Sequence, residues 1–187
     1  MNIILLGPPG CGKGTQGELL AARTKILRVS TGELLRDAAG KGTPLGRQAK
    51  SYMDQGLLVP DDVIIGLLRE VLGSPAAARG VIMDGFPRTV AQAEAVDRLL
   101  AERSRKVDQV LLFDVPEDEL RRRIMGRAGQ AGRADDNLDA LRQRLVVYKE
   151  QTAPLVDFYR KRGILVPIEA VGSIEEIAER VRVKVGA

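Results

Sequence analysis

The sequence predicts an α/β fold: a five-stranded, doubly wound parallel sheet with helices on both faces. Three observations predict it. Short apolar runs alternate with stretches of helical periodicity, the pattern of repeated βα units. A glycine-rich loop follows the first apolar run directly and opens a helix. The 187 residues fit one domain with small excursions, not two full cores.

The predicted strands are Asn2–Leu6, Ile26–Val29, Gly80–Met83, Gln109–Phe113 and Leu165–Glu169. Ser30-x-x-Glu33 and Ser173-x-x-Glu176 are capping boxes, in which hydroxyl and carboxylate satisfy opposite backbone donors at a helix start. Thr43-Pro44 reads as an N-cap followed by proline at the first helical position, and Gly56 closes that helix. Leu45, Ala49, Tyr52 and Met53 supply its apolar face. About fifty residues separate the second and third strands, more than one crossover helix requires. Thr31 to Leu58 therefore reads as a helical excursion from the core, or as extra packing on it. A second insertion, Ala128 to Ala134, is short and rich in Gly and Ala. Asp135-Asp136-Asn137 opens a long helix that Pro154 should kink or break.

Composition narrows the chemistry. The net charge is +4, which suits nucleic acid, a membrane surface or small polyanions. Three Phe, three Tyr and no Trp make a poor platform for stacking bases, so small phosphates are the favoured partner. There is no histidine for acid–base work near neutral pH, a lack that phosphoryl transfer, driven by positioning and electrostatics, would not feel. A single cysteine, Cys11, excludes an internal disulfide and a zinc site built from cysteines. No apolar run approaches the ~20 residues of a membrane span, and no leader pattern precedes the glycine loop. The expected compartment is cytoplasmic.

The sharpest signal is Gly7-Pro-Pro-Gly-Cys-Gly-Lys13-Gly-Thr15, between a β-run and a helix. Glycines let backbone N–H groups curl around phosphate oxygens, the helix N-terminus adds its positive end, and Lys13 reaches the β- and γ-phosphates. This makes the fold a P-loop NTPase type; the plainer alternative is a glycine-rich turn with a chance lysine. The generic pattern puts Ser or Thr directly after the lysine. Here Gly14 intervenes and the hydroxyl waits at Thr15, which leaves direct magnesium ligation by it open. Val81-Ile82-Met83-Asp84 is a buried strand ending in a carboxylate suited to magnesium, or else Asp84-Gly85 is an ordinary turn. Gly85 stands where a water-activating ATPase usually carries glutamate, so transfer is favoured over hydrolysis. Neither of the two asparagines, Asn2 and Asn137, starts the Asn-Lys-x-Asp sequence of a guanine-specific switch.

Five motifs, in order and spacing, resemble those of adenylate kinases: Gly7 to Thr15, Ser30-Thr-Gly-Glu-Leu-Leu-Arg36, Asp84-Gly-Phe-Pro-Arg-Thr89, Gly132-Arg-Ala-Asp-Asp136 and Arg142-Gln-Arg-Leu145. The resemblance covers essentially the whole chain. It implies strand order 2-3-1-4-5, a core of residues 1–29, 60–127 and 136–187, an NMP-binding segment at 30–59 and a short lid at 128–135. It implies that Gly10, Cys11, Gly12, Lys13, Gly14 and Thr15 cradle ATP phosphates. Arg123 and the Gly172-Ser173 turn would meet the ATP adenine, and Asp84 would hold Mg²⁺ through water. Thr31, Arg36, Leu58, Val59, Gly85, Arg88 and Gln92 would form the AMP site. Arg36 and Arg88 would grip the AMP phosphate, and the Gln92 amide would face the adenine. Thr89-x-x-Gln92 is also a capping box, so two roles compete for that side chain.

Lys13, Arg88, Arg127, Arg133 and Arg144 would offset charge on the phosphoryl group in flight, with Arg127 also on ATP and Arg133 and Arg144 also reaching AMP. Arg121 and Arg122 read as solvated surface charges, and Asp135 and Asp136 as arginine orienters, helix caps or both. Only five residues lie between Arg127 and Arg133, where many bacterial relatives carry a longer lid that sometimes holds zinc, so zinc is not carried over. The implied substrates are ATP, AMP and ADP, with no nucleic acid or membrane partner and a monomeric chain. A UMP/CMP kinase is the nearest alternative, disfavoured by Thr31, Thr89 and Gln92. A non-catalytic nucleotide sensor need not keep Asp84 and the arginines.

Overall fold

The computed structural model describes residues 1–42, 44–128 and 138–187. Five parallel strands, β1 (Asn2–Leu6), β2 (Leu27–Ser30), β3 (Val81–Asp84), β4 (Gln109–Asp114) and β5 (Leu165–Glu169), form one sheet in the order β2-β3-β1-β4-β5. This is the expected order. The second and third strands start one residue later than the apolar runs suggest and take in a polar residue at their ends. The reason is pairing: the parallel ladder joins Leu27 to Val81 and Ser30 to Asp84, so its last rung is polar.

The strands are joined by α1 (Lys13–Thr24), α2 (Thr31–Gly40), α3 (Pro44–Asp54), α4 (Asp61–Gly73), α5 (Val90–Ala101), α6 (Glu117–Ala128), α7 (Leu138–Val147), α8 (Pro154–Lys161) and α9 (Ile174–Val185). All five β1 residues are buried, as a central strand covered on both faces requires. Ile4 and Leu6 face a core with Met83, Leu68 of α4, Leu99 and Leu100 of α5, and Leu155 and Tyr159 of α8. Ile3 and Leu5 face the other core, with Ile82, Phe113, Leu20 of α1, Ile124 of α6 and Val181 of α9. The period-2 geometry of one strand thus seeds both layers.

The stretch after Thr31 is helical, as α2 and α3. Gly56 ends the second helix: its N–H donates to Met53 O and that of Leu57 to Tyr52 O, satisfying terminal carbonyls. Ala49 is fully buried on α3, and Tyr52 and Met53 pack against the core. Thr43 lies outside the described residues. So do most of the second insertion and Asp135-Asp136-Asn137.

Pro154 interrupts the long helix as expected. Lacking an N–H, it cannot continue the α ladder, and the backbone widens into a π turn at Tyr148–Thr152 between α7 and α8. The Ala153 N–H donates to Tyr148 O at 2.8 Å to close it. Of the two predicted Ser–Glu capping boxes, Ser173–Glu176 is complete. At the other, Ser30 Oγ accepts from the Glu33 N–H at 3.4 Å, but the Glu33 carboxylate is drawn to Arg28. Among the described residues, no helix is long and apolar enough to cross a membrane.

Candidate active site

A cavity of about 530 Å³ opens beyond the carboxyl end of β1, bordered by the residues that follow β1, β2 and β3. This is where open α/β sheets receive ligands. On one side stands the loop from β1 into α1. Gly10 (φ +85°) and Gly12 (φ +96°) hold left-handed backbone that a side chain would strain, so the loop can curl only with glycine there. Gly12 caps α1 without any side-chain hydrogen bond. Gly10, Gly12, Lys13, Gly14 and Thr15 line the cavity. The Cys11 side chain does not; it is wholly buried in the core beneath, where its Sγ accepts from the Lys13 ammonium at 3.4 Å. The Lys13 ammonium donates to Gly7 O at 2.6 Å and Pro8 O at 2.9 Å. Those carbonyls hold the charge at the loop.

The same cavity is lined by Thr31 and Arg36 of α2, Leu58 and Val59 beyond α3, Gly85 and Arg88 beyond β3, Gln92 of α5 and Arg144 of α7. Gly85 adopts φ +82°, and a Cβ there would come within 3.0 Å of Thr31 Oγ1. Its carbonyl accepts from Arg88 Nε at 2.8 Å, which aims the guanidinium. Burial, and after it the positive charge of Arg144, lower the Arg88 pKa; Asp84 opposes the shift and Arg36 adds to it. Guanidinium stays ionised regardless. Arg36, Arg88 and Arg144 thus border one cavity, where their charges suit an anion.

Asp84 ends β3 with its carboxylate largely buried. Its Oδ2 accepts from Arg28 Nη2 at 2.8 Å, and the same guanidinium makes a fork onto Glu33 at 2.8 and 3.0 Å. Burial alone would lower the Arg28 pKa, but the bonds to Glu33 and Asp84 outweigh it and raise it. The sequence reading missed Arg28. Inside β2 it looks like an ordinary alternating polar residue, and no motif marks it. Removing it would take from the largely buried Asp84 carboxylate the guanidinium it is hydrogen-bonded to. We expect Arg28→Ala to cost about 2 kcal/mol in urea unfolding, below the 3–5 of a fully buried pair because Glu33 is exposed. A midpoint equal to wild type would mean the cluster contributes nothing.

Magnesium fits the residues present. Asp84 offers a hard oxygen donor beside the phosphate loop, where a Cβ on Gly14 would lie 3.8 Å from Asp84 Oδ2. Among the described residues, no three His, Cys, Asp or Glu side chains converge into a cage. Magnesium is commonly held by one or two carboxylates completed by water and substrate phosphates.

The remaining predicted residues divide. Arg123 lines the cavity and is fixed by Glu119 Oε1 at 2.7 Å and Ala170 O at 2.9 Å, tying α6 to the end of β5. Gly172 does not line the cavity; its turn leads into α9, whose Ile174 carbonyl accepts from Gln16 of α1 at 3.0 Å. The Arg127 side chain and all of Arg133 lie outside the described residues. Tyr148, unremarked in the sequence, also lines the cavity because the π turn carries it there. Burial, with lesser contributions from Cys11 and Asp114, pushes its phenol up to about 12, so it stays neutral at physiological pH.

A glycine-rich loop, a carboxylate and three arginines thus border one cavity. The family model described as Adenylate kinase matches residues 5–164. The chain belongs to the adenylate kinase family. Among relatives within it, a protein named Adenylate kinase from Thermobifida fusca is 50% identical over 180 residues, covering 96% of this chain and 95% of its own. One of the same name from Stenotrophomonas maltophilia is 50% identical over 181 residues, covering 97% of both chains. Another from Thermus thermophilus is 50% identical over 184 residues, covering 98% of this chain and 96% of its own.

Proposed function

We propose that this protein transfers the γ-phosphoryl group of MgATP reversibly to AMP, giving two ADP. The observation that carries the reading is the cavity shared by the phosphate loop, Asp84 and the cluster of Arg36, Arg88 and Arg144. A hydrolase or a sensor has no use for a second anion site of this strength.

In this reading the loop from Gly10 to Thr15 cradles ATP phosphates, with the Cys11 thiol meeting the Lys13 ammonium from the core side. Arg123 and the Gly172 turn bound the ATP adenine side. Thr31, Leu58, Val59, Gly85 and Gln92 enclose AMP, while Arg36 and Arg88 hold its phosphate by bidentate forks. Lys13, Arg88, Arg127, Arg133 and Arg144 offset the charge that spreads over the equatorial oxygens in flight. Asp84 holds magnesium through water, and the metal, when bound, adds further neutralisation of the phosphates. No strong general base is required, because the AMP phosphate is already nucleophilic at neutral pH.

Closure over the bound nucleotides, more of it supplied by residues 30–59 than by the short lid, would exclude water that would otherwise take the phosphoryl group. We place the protein in the cytoplasm, as a monomer. The test is a coupled assay of ADP formation from MgATP with AMP, UMP, CMP or no acceptor. Fast turnover with AMP alone is expected. Preference for UMP or CMP would overturn the acceptor assignment, and no transfer to any acceptor would overturn the kinase reading.

A further inference from the structure

The Gln92 side chain is 1% exposed and lines the cavity, yet its amide is held from two sides. Its oxygen accepts from the Arg88 backbone N–H at 2.7 Å. Its nitrogen donates to Asp61 Oδ1, the first residue of α4, at 2.5 Å. Thr89 Oγ1 accepts from the Gln92 backbone N–H at 3.2 Å and fixes the base of the side chain. A backbone N–H can only donate and an ionised carboxylate can only accept, so an amide flip would mispair both ends. Chemistry therefore decides which end is oxygen and which is nitrogen.

We infer that Asp61 is a specificity-determining positioning residue, locking the Gln92 amide so that it reads a 6-amino purine and rejects a 6-oxo purine. The inference rests on the assignment of this side of the cavity to the acceptor nucleotide. After its two fixed bonds the amide has one N–H and one oxygen lone pair left to offer. Adenine presents a ring-nitrogen acceptor beside an amino donor. Hypoxanthine presents the reverse, a ring N–H beside a carbonyl. A freely rotating amide serves either edge, whereas a locked one serves only the first. The Arg88 N–H alone resists a flip at one end; Asp61 supplies the second resistance and the charge. Asp61 itself is exposed at the helix start, so altering it disturbs no packing.

The test compares AMP with IMP, which differ in size by almost nothing. Wild type, Asp61→Asn and Asp61→Ala would be assayed for kcat/KM with each acceptor at saturating MgATP. Calorimetric binding of each nucleotide would be measured in parallel. Asparagine keeps the shape but can donate as well as accept, so it removes the resistance to a flip at its own end. Both variants should lose roughly tenfold or more of the AMP-over-IMP preference, the scale of one mispaired buried hydrogen bond. KM for MgATP should stay close to wild type, and Tm should fall by more in Asp61→Ala than in Asp61→Asn, which keeps an acceptor for the buried amide. A preference unchanged in both variants, or an equal loss for both nucleotides, would overturn the inference and leave Asp61 as a helix-start charge. Because binding is read separately, a wild type that prefers AMP in calorimetry but transfers nothing would fail the kinase reading without touching the lock.

Discussion

Replacing Arg88 by alanine should lower kcat for ADP formation by ~10³-fold or more, the scale of a cation that stabilises charge in flight, and should leave the fold intact. The two halves of that expectation have one physical source. Arg88 is buried beside Arg144 and Arg36, with Asp84 the countercharge that faces it. In the free protein burying this charge costs energy, so deleting the guanidinium removes that cost. Tm should therefore hold or rise. With nucleotides bound the same charge is opposed by phosphate in a site poor in water, where a desolvated charge-assisted bond contributes roughly 1.5–3 kcal/mol before any transition-state effect. KM for AMP should rise together with the fall in kcat. Arg88→Lys should recover little, because a single ammonium cannot reproduce a planar fork aimed by the Gly85 carbonyl. The measurement is the coupled assay beside a thermal melt, and near-normal turnover in Arg88→Ala would remove the residue from the machinery.

Lys13→Met should reduce turnover by roughly 10²–10³-fold, the cost of losing one preorganised donor to developing charge. Here stability should fall as well. The ammonium bonds Gly7 O and Pro8 O within its own loop, so the variant loses a tether as well as a charge. Opposite stability changes in Lys13→Met and Arg88→Ala, with turnover lost in both, would separate a cation that braces its own loop from one held among like charges. A Lys13→Met protein with unchanged KM for MgATP and unchanged kcat would show that the loop backbone suffices.

What the sequence determined by itself was whatever depends on neighbours along the chain. The five strands, the glycine loop between β1 and α1, the capping box at Ser173 and the break at Pro154 all follow from a few adjacent residues. Their backbone angles, donors and periodicities leave little choice. The strand order was legible too, and most of the residues predicted for the site line the cavity, though both came through motif register and not through periodicity. The tertiary structure decided which of several acceptors a polar side chain takes. Arg28 settles on Asp84, 56 residues away, and also draws the Glu33 carboxylate out of its expected box. Gln92 answers to Asp61, 31 residues away, and to the Arg88 N–H, so the reciprocal half of the expected Thr89 capping box does not form. Cys11, between two cavity-lining glycines, turns its thiol into the core. In each case the local pattern left several partners of similar strength, and the choice among them waited on which charges and apolar surfaces the folded sheet brought together.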